Sequence, residues 1–312
     1  MVKTRALLLY AISSLYLLTT PVLSWAAENG TGVYLLGSKD SKMSVFPSQG
    51  FFLRNDFSFQ SGEFYSIYLH GHEFTSIKNW VAVNNTALNY YFGKQVLGGT
   101  YMAGMELRIV SNELTVDPAV PNGNIKSNHS AFGLGNLKII PIAIGWKNRR
   151  FFHYSLSIAF YLPIGNYDPE SFANTSKNYF SVDPEFSATW FNKYTNTDIS
   201  GNIGLTYNFS NPSTNYRSGS ELHAEYSVVQ GIERQWGIGA VGYFYYQLTP
   251  DTGEGLVNDN ISRCNGFGPI FTYDLRRGRT AIGLIAKMYL AFGNQNTLYS
   301  NSYWLGVSFK LW

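Results

Sequence analysis

The sequence predicts an all-β fold: a membrane-spanning, antiparallel, up-and-down β-barrel of about twelve strands, with short periplasmic turns and longer extracellular loops. Three observations predict it. Apolar residues alternate with small or polar ones in segments of roughly 10 to 16 residues, which suits a tilted strand crossing a bilayer. Aromatic residues are 17% of the chain and charged residues only 14%, against roughly 25% charged in a soluble domain. Yet beyond the N-terminus no stretch approaches the 18 or so consecutive apolar residues of a spanning helix. The third observation is that the connections between the segments alternate between short and long.

The chain opens as a secretory signal, residues 1–26. Lys3 and Arg5 precede an apolar run from Ala6 to Leu23, and Ser24-Trp25-Ala26 puts small residues at the two positions a signal peptidase reads. Cleavage there starts the mature chain at Ala27 and commits it to the bacterial outer membrane. The alternative, an uncleaved anchor, is opposed by the shortness of the run and its interruption at Pro21. Residues 27–50 form a separate N-terminal segment, rich in Gly, Ser and Lys, with Pro47 just before Gly50. Two readings of it stand: a flexible periplasmic tail, or a small plug folded back into the lumen.

Residues 51–312 carry the strands. Side chains on a strand point alternately to its two faces, so a strand in lipid reads apolar, then small or polar. The clearest case sets Phe152, Tyr154, Leu156, Ile158, Phe160 and Leu162 against His153, Ser155, Ser157, Ala159 and Tyr161. Leu97, Tyr101, Ala103, Met105, Leu107 and Ile109 likewise oppose Thr100, Gly104, Glu106 and Arg108. Further clear strands place Phe180 to Trp190 over Asp183 and Glu185, Ile199 to Phe209 over Asn202 and Thr206, and Leu222 to Val228 over Glu221, His223 and Glu225. The last strand runs Tyr303, Leu305, Val307, Phe309, Leu311. Weaker segments at 51–61, 77–92, 134–146, 236–247, 265–275 and 280–291 bring the count to twelve.

Connections supply an independent test. Every even-to-odd connection is short: near Lys94, then at 147–150, 192–196, 231–234 and 276–278. Every odd-to-even one is longer: 62–76, 111–133, 163–178, 210–217, 248–264 and 292–301. That order places both chain ends in the periplasm. In the last strand Gly306, Phe309 and Leu311 fit the pattern the barrel-assembly machinery favours, with Trp312 out of phase at the rim. A soluble β-sandwich or lipocalin-like barrel would also alternate. It would need a polar exterior, and here the outward faces carry Phe, Tyr, Trp and Leu.

Cys264 is the lone cysteine, so no intramolecular disulfide forms. A net charge of +3 is too small to point to nucleic acid or polyanionic lipid.

Several motifs resemble one family. Gly32-Val-Tyr-Leu-Leu-Gly37, Gly50-Phe-Phe-Leu-Arg-Asn-Asp-Phe57, Gly133-Leu-Gly-Asn136 with Pro141 and Gly145-Trp146, Leu162-Pro-Ile-Gly-Asn-Tyr-Asp168, and Asn178-Tyr-Phe180 are the first of them. Tyr216-Arg-Ser-Gly219 with Glu221 and His223, Gly242-Tyr243 with Gln247 and Asp251, and Gly268-Pro269 follow in order. Together, from about Gly30 to the C-terminus, the chain resembles proteins involved in the meta-pathway of phenol degradation, transporter-like outer-membrane proteins. It departs from them at Asn136, usually acidic there, and at Ile164, often threonine. The resemblance implies a barrel with a transport-like role in the use of aromatic or hydrophobic compounds.

Read from the alternation, the lumen-facing charged set is Arg54, Asp56, Glu106, Arg108, His153, Asp183, Glu185, Glu221, His223 and Glu225, with Lys287 beside it. Basic residues facing lipid near the midplane cost about 2–4 kcal/mol, which is why they cluster inward. Such charges either pair across strands and stiffen the wall, or Arg54, Arg108 and Glu106 form a constriction that sets selectivity. Glu221, His223 and Glu225 share one side of a strand, but alternate residues lie about 6.6 Å apart and the histidines a metal site uses are missing, so no metal or other cofactor is expected. His153 and Ser155 share a face, which raises a hydrolase as a competing class. No nucleophile elbow, zinc motif or phosphate loop accompanies them. The sequence therefore predicts a non-enzymatic, passive outer-membrane channel whose partners are membrane lipid and a small hydrophobic or aromatic solute. A structural or adhesive barrel without transport is the alternative.

Overall fold

A computed structural model describes residues 30–69, 72–118, 127–148, 150–233, 235–253, 261–277 and 280–311; the expected signal sequence, residues 1–26, and Trp312 lie outside them. Thirteen strands account for the regular structure of these residues: β1 Gly50–Leu69, β2 His72–Val96, β3 Gly99–Pro118, β4 Ser127–Leu134, β5 Leu137–Asn148, β6 Phe152–Leu162, β7 Ser181–Asn192, β8 Thr197–Asn208, β9 Glu221–Ile232, β10 Trp236–Gln247, β11 Arg263–Arg277, β12 Thr280–Gln295 and β13 Asn301–Lys310. All neighbours are antiparallel. β1 pairs with β2 on one side and with β13 on the other, from Phe52↔Lys310 to Ser61↔Asn301, which closes the sheet. β4 and β5 together fill one place in the wall, because β3 pairs with β4 through Ile109↔Leu134 and with β5 through Glu106↔Lys138. The result is the predicted closed barrel of twelve antiparallel strands.

The two faces are inverted relative to a soluble protein. Phe57, Leu107, Leu156, Phe186, Ile203, Phe244, Phe271 and Leu305 are exposed, while Asp56, Asp183, Glu185, Glu221, His223, Glu225 and Lys287 are buried. An apolar band facing lipid around a polar lumen is what a membrane barrel requires.

Local chemistry explains the irregularities. Pro141 cannot donate to the ladder, and β5 slips register against β6 between Ile139 and Ile142. The freed Pro141 carbonyl accepts a bond from the Tyr101 hydroxyl at 2.7 Å. At the β2–β3 corner Leu97 and Gly98 both have positive φ, 50° and 76°, the two-residue turn that matches strand twist. Leu97, read from the sequence as the start of a strand, is thus a turn residue.

Two other expectations change. The connections 62–76 and 111–133 are largely strand, since β1 and β2 are separated by two residues and β3 runs on to Pro118. Beyond the lipid both faces of such an extension meet water or loops, so the alternation fades although the ladder continues. The extensions shelter loop residues, with Ile77, Leu114, Val116, Ala173 and Leu298 forming a buried cluster. The second change concerns the chain ends. The backbone amide of Leu298, between β12 and β13, donates to the Gly30 carbonyl at 2.8 Å, whereas that of Leu311 donates to Phe51 at the opposite end. Gly30 therefore sits at the long-connection end, where β13 begins, and not at the end where the chain finishes. Segment 30–49 crosses the lumen to reach β1.

Candidate functional site: the lumen and its threading segment

The segment descends through a sequence of wall contacts. At the long-connection end the Tyr34 ring stacks on His223, centroids 3.5 Å apart, and its hydroxyl donates to Glu225 at 2.8 Å. The backbone amides of Gly37 and Lys39 donate to the same carboxylate at 3.2 and 3.1 Å. Gly37 is required here, because φ is +89° and a Cβ would stand 2.9 Å from the Tyr289 ring. Halfway down, Lys39 pairs with Glu185 at 2.8 Å. Asp40 pairs with Arg54 and, at 3.5 Å, with Lys287, whose ammonium also donates to the Lys39 carbonyl at 2.8 Å. Lower still, Lys42 pairs with Asp274 at 3.3 Å, Ser44 donates to the His153 carbonyl at 3.0 Å, and Phe46 meets Tyr91 edge-on at 5.2 Å.

The wall charges form separate groups. Arg54 binds Asp56 as well as Asp40, with its Nε 2.6 Å from the Asp56 carboxylate. Glu106 and Glu185 share Lys138, at 3.8 and 2.8 Å. Asp183 holds His223 at 3.0 Å and accepts from Tyr161 at 3.4 Å. Glu221 accepts from Asn208 at 3.0 Å. Arg108 donates to the Val33 carbonyl at 2.7 Å and lies over the Tyr161 ring. Arg54, Arg108 and Glu106 thus meet different partners and form no common ion-pair ring. His153 stands apart, opposite Lys147 near the short-turn end.

Sequence reasoning missed Lys138, Lys39, Asp40 and Tyr34. Lys138 was findable: a lysine inside a membrane strand has to face inward. The bulge at Pro141 hid it by breaking the alternation on which face assignment depends. The three segment residues precede the first strand, where no periodicity assigns a face.

Above the threaded charges lies a cavity of about 140 Å³, bounded by residues 31–36 of the segment, the wall of β13 and β1–β3, and the connections at 135–136, 174–177 and 298–299. Val83, Leu114 and Trp304 supply apolar surface, and Arg108, Asn79 and Asn136 supply polar atoms.

The family described as "Putative MetA-pathway of phenol degradation" matches residues 68–307. No curated protein matches the sequence. Among solved structures, the COG4313 outer membrane channel from Pseudomonas putida F1 is similar at a TM-score of 0.65, with 12% identity over 86% of this chain and 97% of that one. The β domain of the Bordetella autotransporter BrkA gives 0.46, with 11% identity over 84% and 99%. A Pseudomonas aeruginosa FadL homologue gives 0.36, with 9% identity over 84% and 88%. The first of these likenesses establishes a shared fold, that of an outer-membrane barrel.

Proposed function

The chain belongs to the phenol-degradation family just described, and from that premise we propose that it is a passive outer-membrane channel for small hydrophobic or aromatic compounds, gated by its own N-terminal segment. The observation that carries this reading is the threading of residues 30–49 through a closed barrel, held by reversible ion pairs and hydrogen bonds rather than by a covalent link to the wall. Such a segment moves aside without unfolding the barrel. The lumen-facing set Arg54, Asp56, Glu106, Arg108, His153, Asp183, Glu185, Glu221, His223 and Glu225 then lines the path. In this reading residues 1–26 are removed on export, and the barrel-assembly machinery inserts the chain through its C-terminal strand.

Liposome swelling with small aromatics against sugars tests transport. Aromatics enter faster than through empty membrane; if neither solute does, the structural or adhesive barrel is the better reading. Deleting Glu28 to Ser48 raises single-channel conductance several-fold, and an unchanged trace sinks the plug. Phospholipid or peptide hydrolysis abolished by Ser155→Ala would instead place the protein among membrane hydrolases.

A further inference from the structure

Among the described residues, one buried cation in the lumen differs from its charged neighbours. Lys39, Arg54, Lys138 and Lys287 each face a carboxylate at 4 Å or closer. Arg108 is 7% exposed and forms no ion pair with any described residue. Glu106, two residues along the same face, turns to Lys138 instead. Arg108 gives one bond to a neutral carbonyl, and its Nε has no partner. A buried guanidinium with no carboxylate in contact is costly, and its planar fork matches one. Three more buried groups on the same cavity are unsatisfied, Asn136 Nδ2 as a donor and Asn79 Oδ1 and Asn112 Oδ1 as acceptors. Unpaired groups of this kind around a cavity mark the place of a missing polar partner.

The cavity also has room and some apolar surface for a ring. Its volume of about 140 Å³ is close to the roughly 150 Å³ that accommodates one benzene in an apolar protein cavity. Val83, Leu114 and Trp304 are all buried and line it. We propose that this cavity binds a single-ring aromatic carboxylate, its anionic group on Arg108 and its ring against Val83, Leu114 and Trp304. The proposal rests on the channel reading for its role and deepens it by assigning the solute a negative charge.

Ligand-observed fluorine NMR on the full mature chain in detergent tests it, with 4-fluorobenzoate, 4-fluorobenzyl alcohol and trifluoroacetate as probes. Fluorobenzoate binds at least tenfold more tightly than either of the other two. Arg108→Gln keeps a donor for Val33 but removes the charge, and it abolishes the preference for the acid while changing alcohol binding less than twofold. Arg108→Lys retains part of the preference. Heat-modifiable migration on gels confirms that each variant is a folded barrel. Equal binding of acid and alcohol, or an unaffected Arg108→Gln, overturns the charge assignment. Trifluoroacetate binding as tightly as fluorobenzoate overturns the ring site. Uncharged aromatics crossing liposomes while no acid binds would leave the channel standing and remove this site alone.

Discussion

The middle of the lumen and the cavity above it are built from the same inner face, yet they treat charge in opposite ways. Around Asp40 and Glu185 the lumen charges are matched: Lys39 and Lys138 share Glu185, while Arg54 and Lys287 share Asp40. Around Arg108 no carboxylate is in contact, and the wall mixes apolar Val83, Leu114 and Trp304 with neutral polar side chains such as Asn79 and Asn136. The matched zone does not need to add net stability, since buried ion pairs roughly break even with apolar packing. What it supplies is register, because a shift of segment 30–49 would break the pairs that Lys39 and Asp40 make with the wall. The unmatched zone has no such closure within the chain.

The sharpest way to break this contrast is to unbalance the matched zone. Asp40→Asn leaves Lys287 without its carboxylate, while Arg54 keeps Asp56. Breaking a buried pair by removing one partner costs about 3–5 kcal/mol. Because the wall is closed, that cost falls on the docking of the segment. The expected outcome is frequent opening events in single-channel traces and trypsin cleavage at Lys39 and Lys42; resistance equal to wild type would mean that Asp40 does not hold the thread. Tyr34→Phe is milder. It keeps the stack on His223 and loses one bond to a charged acceptor, about 1.5–3 kcal/mol, while two backbone amides still serve Glu225. Its opening frequency falls between those of wild type and Asp40→Asn. Lys39→Met is milder again, because Glu185 retains Lys138 and the Lys39 side chain is 27% exposed. A change of about 1 kcal/mol or less, as for a partly solvated pair, shows in the same recordings as a small rise in open time.

How much of this was legible depended on whether lipid dictated the pattern. β6 to β10 stand close to their predicted places because their outward residues, such as Leu156, Phe186 and Ile203, have to be apolar and their partners do not. The extended ends of β1 to β3 look like loops in the sequence, because outside the bilayer nothing enforces a two-residue period. Alternation assigns Asp56, Arg108, Asp183, Glu185, Glu221, His223 and Glu225 to the face on which they are buried, but it does not give their groupings. Cross-strand register decides that Glu185 meets Lys138, and a single bulge at Pro141 shifts that register. The thread was harder still. Tyr34, Lys39 and Asp40 occupy irregular backbone, and only the three-dimensional wall reveals what each one faces.

The smallest expected effect lies outside the lumen and separates the cavity from its rim. Asp251, between β10 and β11, accepts bonds from the Gly219 amide at 2.7 Å and from Gln247 at 2.6 Å, with the Tyr216 hydroxyl also against it. Burial pushes its carboxyl up to about 6, outweighing those three donors. A carboxyl raised from its usual value of about 3.9 binds its proton more tightly in the folded loop than in the opened one. The clasp is therefore firmest below about pH 4 and loosens as pH rises toward 6, then stays level. Hydrogen-exchange protection at Gly219, corrected for the intrinsic rate, should fall across that window in the native protein. Asp251→Asn removes the titrating group and should flatten the profile. Opening frequency and fluorobenzoate binding should stay unchanged over the same range, because Asp251 touches neither the thread nor Arg108. A parallel shift in either would mean that the rim loops and the lumen move as one unit.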